Sequence, residues 1–214
     1  MKTVRLLTEQ SANGSKRIEP VKESLLNILR CPVCKTSDWS VDAKQRNGEI
    51  LEGRLLCGGC NRAFPLSRGA VDLVPDELLT DIQRRDRETC AESDRRIAEE
   101  KRRGEFIGEV RAREDEYQAV TAARTDFLFH EIDYDDPERR WVLDLGCGEP
   151  VLANRFARLG FNVIALDFVT TRLDSAHEMF AHDGTYFERL AGLMARLPLA
   201  DDSIDIGFSH ASLH

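Results

Sequence analysis

Val142-Leu143-Asp144-Leu145-Gly146-Cys147-Gly148-Glu149-Pro150 carries the strongest fold signal in the chain. A short apolar run ending in Gly-x-Gly reads as a buried strand, a tight turn and a helix start. Glycine lets the chain turn sharply and lets a ligand approach the backbone, and proline is tolerated at the first helical position. Alone, the pair of glycines is only a tight turn, so the flanking sequence matters. Val151, Leu152, Phe156 and Leu159 fall on one helical face, and Gly160 suits a helix stop. Phe161 to Leu166 predicts the next strand. It ends at Asp167, 23 residues after Asp144, where a carboxylate can accept both hydroxyls of a ribose. Arg172 to Phe180 predicts a second helix, Tyr186 to Leu190 a third strand and Ile204 to Phe208 a fourth. Strand and helix alternating at this spacing predict an α/β fold with a parallel sheet and right-handed crossovers.

Upstream lie two cysteine pairs, Cys31-Pro-Val-Cys34 and Cys57-Gly-Gly-Cys60. Two such knuckles supply four thiolates, a set that suits a structural zinc ion in tetrahedral coordination. Disulfides or thiol redox chemistry are the alternatives. Four cysteines close the coordination sphere, so a catalytic zinc is not expected. Gly58 and Gly59 are expected to supply positive φ in the second knuckle. Trp39, Val41, Ile50, Leu51, Leu55 and Leu56 predict a hairpin turned at Asn47-Gly48. The metal would hold a unit too small for much core of its own.

The intervening residues, 76–135, are rich in charge and predict helix. Asp81–Arg85, Glu92–Arg96 and Glu99–Arg103 are acid-first pairs four apart. A mixed charge run of this kind reads as a solvated connecting helix rather than a binding surface. Tyr117, Val120, Phe127, Leu128 and Phe129 then offer an apolar face for packing on the next domain. The organisation expected is a flexible tail over 1–24, a zinc ribbon over 25–75, a helical linker over 76–135 and a cofactor-binding domain over 136–214.

The whole chain of 214 residues carries a net charge of −8, with 32% charged and 42% hydrophobic residues. That balance argues against broad nonspecific binding to nucleic acid. The charge is uneven: +4 over residues 1–75, −7 over 76–135 and −5 over 136–214. No stretch approaches the roughly 20 apolar residues of a membrane helix, and residues 1–20 lack the apolar core of a secretory signal. A cytoplasmic location is the expectation.

Two family resemblances sharpen this reading. Leu29 to Cys34, Leu56 to Pro65 and Gly69 to Pro75 resemble the small zinc-ribbon domain of the methyltransferase-activator family. That implies a ribbon packing on a methyltransferase domain, with a role in RNA recognition left open. Asp144-Leu-Gly-Cys-Gly148, Val163 to Phe168 and Leu197 to Asp205 resemble three ordered motifs of class I S-adenosylmethionine-dependent methyltransferases, which have a Rossmann-like fold. The resemblance implies that Gly146, Cys147 and Gly148 pass under the cofactor's methionine part and that Asp144 orients this loop. It also implies that Asp167 holds the ribose and Phe168 flanks the adenine. Ser209 and His210 would line the methyl-transfer pocket, with His210 the candidate base, and the unpaired Cys90 and Cys147 are expected to be inert. The acceptor, whether small molecule, protein or RNA, is not implied.

Three departures stand out. Pro150 replaces a usual third glycine. Leu193 stands where an acidic residue often contacts the adenine amino group, a role that backbone near Met194 could take over. The family's sheet has seven strands, and the fourth predicted here lies next to His214. The expectation is therefore an incomplete domain, strands one to four, from a longer enzyme. The alternative is a non-enzymatic zinc-ribbon adaptor carrying a degenerate methyltransferase domain.

Overall fold

A computed structural model describes residues 23–46, 49–103, 119–120, 123, 125–210 and 212. The expected flexible tail falls outside this set except at its end, where Glu23 and Ser24 belong to a helix, α1 (Glu23–Ile28). Eight strands form one continuous sheet: β1 (Trp39–Arg46), β2 (Glu49–Cys57), β3 (Ala63–Ser67), β4 (Ala70–Asp72), β5 (Trp141–Leu145), β6 (Asn162–Asp167), β7 (Glu188–Ala191) and β8 (Ile206–Phe208). Their spatial order is β1-β2-β3-β4-β7-β6-β5-β8.

The α/β half is parallel throughout. Leu143 lies opposite Ile164 on β6 and opposite Gly207 on β8, and Leu166 lies opposite Leu190 on β7. Buried on both faces, β6 reads Val-Ile-Ala-Leu without alternation, as doubly covered parallel strands do. Strand order reverses at β5, which puts the carboxyl ends of β5 and β6 at the position where such sheets hold ligands. Among the helices, α2 (Asp81–Arg103) and α3 (residues 125–131) precede β5. After it, α4 (Val151–Arg158) buries Leu152, Ala153 and Phe156, and α5 (Ala176–Asp183) ends at Gly184 in the left-handed conformation, φ 66°. The predicted helix from Arg172 is in fact a 3-10 segment, Thr170–Ser175, before α5 begins.

The ribbon half is antiparallel. β1 pairs antiparallel with β2 in a register that sets Arg46 opposite Glu49, and the turn expected at Asn47-Gly48 lies outside the described residues. Trp39 meets Phe64 edge-on at 5.8 Å, and its indole N–H donates to the Leu29 carbonyl at 3.2 Å. Sequence reading missed β4. This three-residue strand pairs antiparallel with β3 and parallel with β7, Val71 opposite Leu190. Ribbon and α/β half thus share both a sheet and an apolar core in which Leu25, Leu29, Trp39, Phe64 and Leu66 join Leu143, Ile164, Leu166 and Leu190.

The ion pairs of charge-rich α2 differ in part from those expected. Asp81 pairs with Arg84 and Arg96 with Glu100, while Glu99 and Arg103 do pair. Helix α3 packs Phe129 on Phe156 of α4 at 4.7 Å. Of the apolar face expected there, Phe127 and Val120 are instead exposed and Tyr117 lies outside the described residues. No helix among the described residues is long and apolar enough to cross a membrane.

Candidate cofactor cavity and metal centre

The β5–α4 turn is anchored from below. Gly146 and Cys147 N–H groups both donate to the Leu166 carbonyl, at 2.8 and 3.1 Å. Gly146 has φ 68° and Gly148 φ 54°, conformations that carry strain for any side chain. A β-carbon on Gly146 would lie 2.5 Å from that of Ser212, whereas one on Gly148 would meet nothing within 4 Å. The second glycine therefore faces open space, as a backbone cradle for a ligand must.

Asp167 closes the arrangement. Its Oδ2 accepts the Gly148 N–H at 2.9 Å and its Oδ1 accepts the Val169 N–H at 3.0 Å. The carboxylate ties two loops together, and each oxygen keeps a second lone pair for a hydroxyl donor. Asp144 sits deeper, 3% exposed, outside the cavity wall. Burial lifts its pKa to about 7 against the pull of the Ala153 N–H, and the nearby Asp167 charge adds to the rise. Cys147 lines the cavity, yet burial and then the charges of Asp144 and Asp167 hold its thiol far above the usual range. It is accordingly a poor nucleophile.

Asp167 and the β5–α4 turn border a cavity of about 790 Å³, a size suited to a nucleoside-containing ligand. Gly146, Cys147, Gly148, Asp167, Phe168, Met194 and His210 line it. Ser209 does not. Its hydroxyl donates to the Leu145 carbonyl at 3.1 Å and bonds to Ser212, which does line the cavity. Sequence reading also missed Gln83, Asp86 and Cys90, which reach the cavity from α2, and Arg172 from the 3-10 segment. Their signal was the i, i+3, i+7 spacing that puts 83, 86 and 90 on one helical face. Helix α2 is thus more than a solvated connector. Thr171 donates to Asp94 at 2.8 Å, and Arg172 reaches both Asp94 and the sulfur of Cys90.

The four ribbon cysteines come together. All four sulfurs lie within 4.8 Å of one another, with Cys31–Cys60 at 3.8 Å, Cys34–Cys57 at 3.5 Å and Cys57–Cys60 at 3.4 Å. A zinc tetrahedron with bonds of about 2.3 Å has edges of about 3.8 Å, so the cluster is compatible with that ion. The Val33 and Cys60 N–H groups point at Cys31 and Cys57 sulfur, each at 3.4 Å. The positive φ expected at Gly58 and Gly59 falls instead on Lys35 (62°) and Asn61 (56°), one residue past each knuckle. The glycines serve close approach. A β-carbon on Gly58 would lie 2.1 Å from the Asp38 carboxylate, and one on Gly59 would lie 2.9 Å from Thr36.

Comparison with known proteins divides the chain in the same way. Residues 22–69 match the family model for Trm112p-like protein, and residues 142–214 match a methyltransferase domain. A malonyl-[acyl-carrier protein] O-methyltransferase of Yersinia pestis is 38% identical over 72 residues, which are 34% of this chain and 26% of that protein. The match thus spans about a quarter of the curated relative. A single sheet thus joins a region similar to Trm112p-like protein to a region similar to a methyltransferase domain.

Proposed function

We propose that this chain binds S-adenosylmethionine at the carboxyl ends of β5, β6 and β7 for transfer of its methyl group to an acceptor, with zinc in the ribbon as a structural ion. The observation that carries the reading is the joint between Asp167 and Gly148. The carboxylate organises the loop whose second glycine leaves its side-chain position open to the cavity. That pairing of an acceptor with bare backbone suits a ribose flanked by a charged amino-acid tail.

When bound, the sulfonium supplies an activated methyl group. The protein's own residues orient and exclude. Asp167 would accept the ribose hydroxyls, Phe168 and Val169 would cover the adenine, and the Gly146–Gly148 turn would pass beneath the methionine part. His210 lines the cavity near this turn and is the candidate to take a proton from an oxygen or carbon acceptor. The four thiolates of Cys31, Cys34, Cys57 and Cys60 would fill the zinc sphere and leave no position for substrate.

Isothermal calorimetry of the zinc-loaded full chain with S-adenosylhomocysteine tests the reading. Saturable binding is expected, weakened at least about tenfold in Asp167→Ala, since a charge-assisted hydrogen bond is lost. A folded chain that binds neither S-adenosylmethionine nor S-adenosylhomocysteine overturns it.

A further inference from the structure

We infer that Asp86 of the linker helix is a specificity residue of the cofactor cavity, accepting a hydrogen bond from the exocyclic amino group of the adenine. The inference rests on the cofactor reading above and adds the residue by which one nucleobase is distinguished from another.

Three observations converge. First, the wall beyond Asp167 is apolar. Leu193 follows Gly192 there, and Leu193 and Phe168 pack against Val74, Leu79 and Ala191. An adenine seated between Phe168 and Leu193 has no side-chain acceptor from that strand end. Second, α2 crosses the same edge. Leu79 touches this wall from just before the helix, and Gln83, Asp86 and Cys90 continue its face in turn-spaced steps into the cavity lining. The face then reaches Arg172 and Thr171 through Cys90 and Asp94. It therefore runs from the Phe168–Leu193 wall toward the 3-10 segment.

Third, the polar groups on this face are not equivalent. Thr80 and Gln83 form a reciprocal helix cap. The Gln83 N–H donates to Thr80 Oγ1 at 3.2 Å, and Gln83 Oε1 accepts the Thr80 N–H at 3.0 Å. The Gln83 oxygen is thus engaged, leaving its amide N–H groups as donors. Neighbouring cations are also committed: Arg84 pairs with Asp81, and Arg87 pairs with Asp72 while donating to the Val74 carbonyl. Among the described residues no cation lies within ion-pair distance of Asp86. A carboxylate accepts only, so it suits an amino group and disfavours a ring carbonyl at the same position. Arg87 and Arg84 tie the helix to the exit of β4, which fixes the height of Asp86 over the cavity.

The test compares S-adenosylhomocysteine with S-inosylhomocysteine, in which a carbonyl replaces the 6-amino group, by calorimetry on the zinc-loaded full chain. Wild type is expected to prefer the adenosyl ligand. Asp86→Ala should weaken the adenosyl ligand about tenfold and leave the inosyl ligand unchanged or tighter. Asp86→Asn, whose amide can accept from one base or donate to the other, should retain most adenosyl affinity and gain inosyl affinity. Circular dichroism checks that the variants remain folded; Asp86 is exposed, so the substitutions leave the core intact. Equal losses for both ligands in Asp86→Ala, or none for either, overturn the inference while the cofactor reading stands. A wild-type chain that binds neither ligand overturns both.

Discussion

Asp144 and Asp167 end neighbouring strands, yet the protein treats their carboxyl groups differently. Asp167 is held by two backbone N–H groups at the cavity surface, whereas Asp144 is sealed beneath the turn near the first turn of α4. Because burial raises the Asp144 pKa from 3.8 to about 7, the folded state keeps a proton that the unfolded chain releases between those two values. The stabilisation linked to this proton is fully present below about pH 4 and is lost as pH rises through 7. Asp144→Asn removes the titration and keeps an acceptor for the Ala153 N–H. Its thermal midpoint should exceed wild type by a few degrees at pH 8, at about 2–4 °C per kcal/mol, and match it near pH 4. Melts at the two pH values check this, and a variant destabilised equally at both would count against a proton on Asp144.

At the scale of elements, the weakest-looking strand makes the decisive joint. β4 is only three residues long, and its preceding turn sits on a buried arginine. Arg189 is 4% exposed, stacks over Phe180 at 5.1 Å and bonds to the His177 ring at 3.1 Å. Burial, then the Arg189 charge, lowers the His177 pKa, so the imidazole faces the guanidinium in its neutral form. Gly69 has φ 75°, and a β-carbon there would lie 2.2 Å from an Arg189 terminal nitrogen. Gly69→Val should therefore strain the turn and push on a side chain with little room, destabilising the fold by roughly 2–4 kcal/mol. Urea unfolding of Gly69→Val beside Ser67→Val, an exposed position on the extended strand β3, reads the effect; equal midpoints would refute the argument. These features also show what the sequence could carry. β5, its turn, α4 and β6 were legible because an apolar run, two glycines and a terminal carboxylate are local signals. β4 was not, because three residues give no periodicity and its partner β7 lies more than a hundred residues away. For α2, the spacing that puts 83, 86 and 90 on one helical face was in the sequence, but what that face meets was not. Nothing near Asp86 in the sequence points to Asp167, and the charge runs around it read as solvent-facing.

Over the whole molecule, the ribbon brackets the wall of the cavity from two sides. On one side β4 lies along β7, and the Leu73 N–H donates to the Ala191 carbonyl at 2.9 Å, next to Gly192 and Leu193. On the other, the segment before the first knuckle holds the stretch that leaves the cavity. The Arg30 N–H donates to the Pro198 carbonyl at 2.8 Å, the Ala200 N–H to the Ile28 carbonyl at 2.7 Å, and Leu29 bridges to Leu199. Lys35 and Arg196 exchange side-chain bonds across the same seam, with the Leu197 and Val33 carbonyls. The cavity residues Met194 and Ala195 thus lie in a loop whose two ends are both fixed by the ribbon. Structural zinc contributes about 10–16 kcal/mol in zinc-finger peptides, comparable with the roughly 5–15 kcal/mol of net stability of a domain. Removing the metal should accordingly loosen the seam as well as the knuckles. Chelation, or Cys31→Ser, should speed amide exchange over β1–β3 and over residues 194–200 together, and weaken S-adenosylhomocysteine binding about tenfold or more. The strand core at Ile164 to Leu166 should stay protected. If the metal can be stripped while residues 194–200 keep their protection and ligand affinity is unchanged, the cavity wall does not depend on the ribbon.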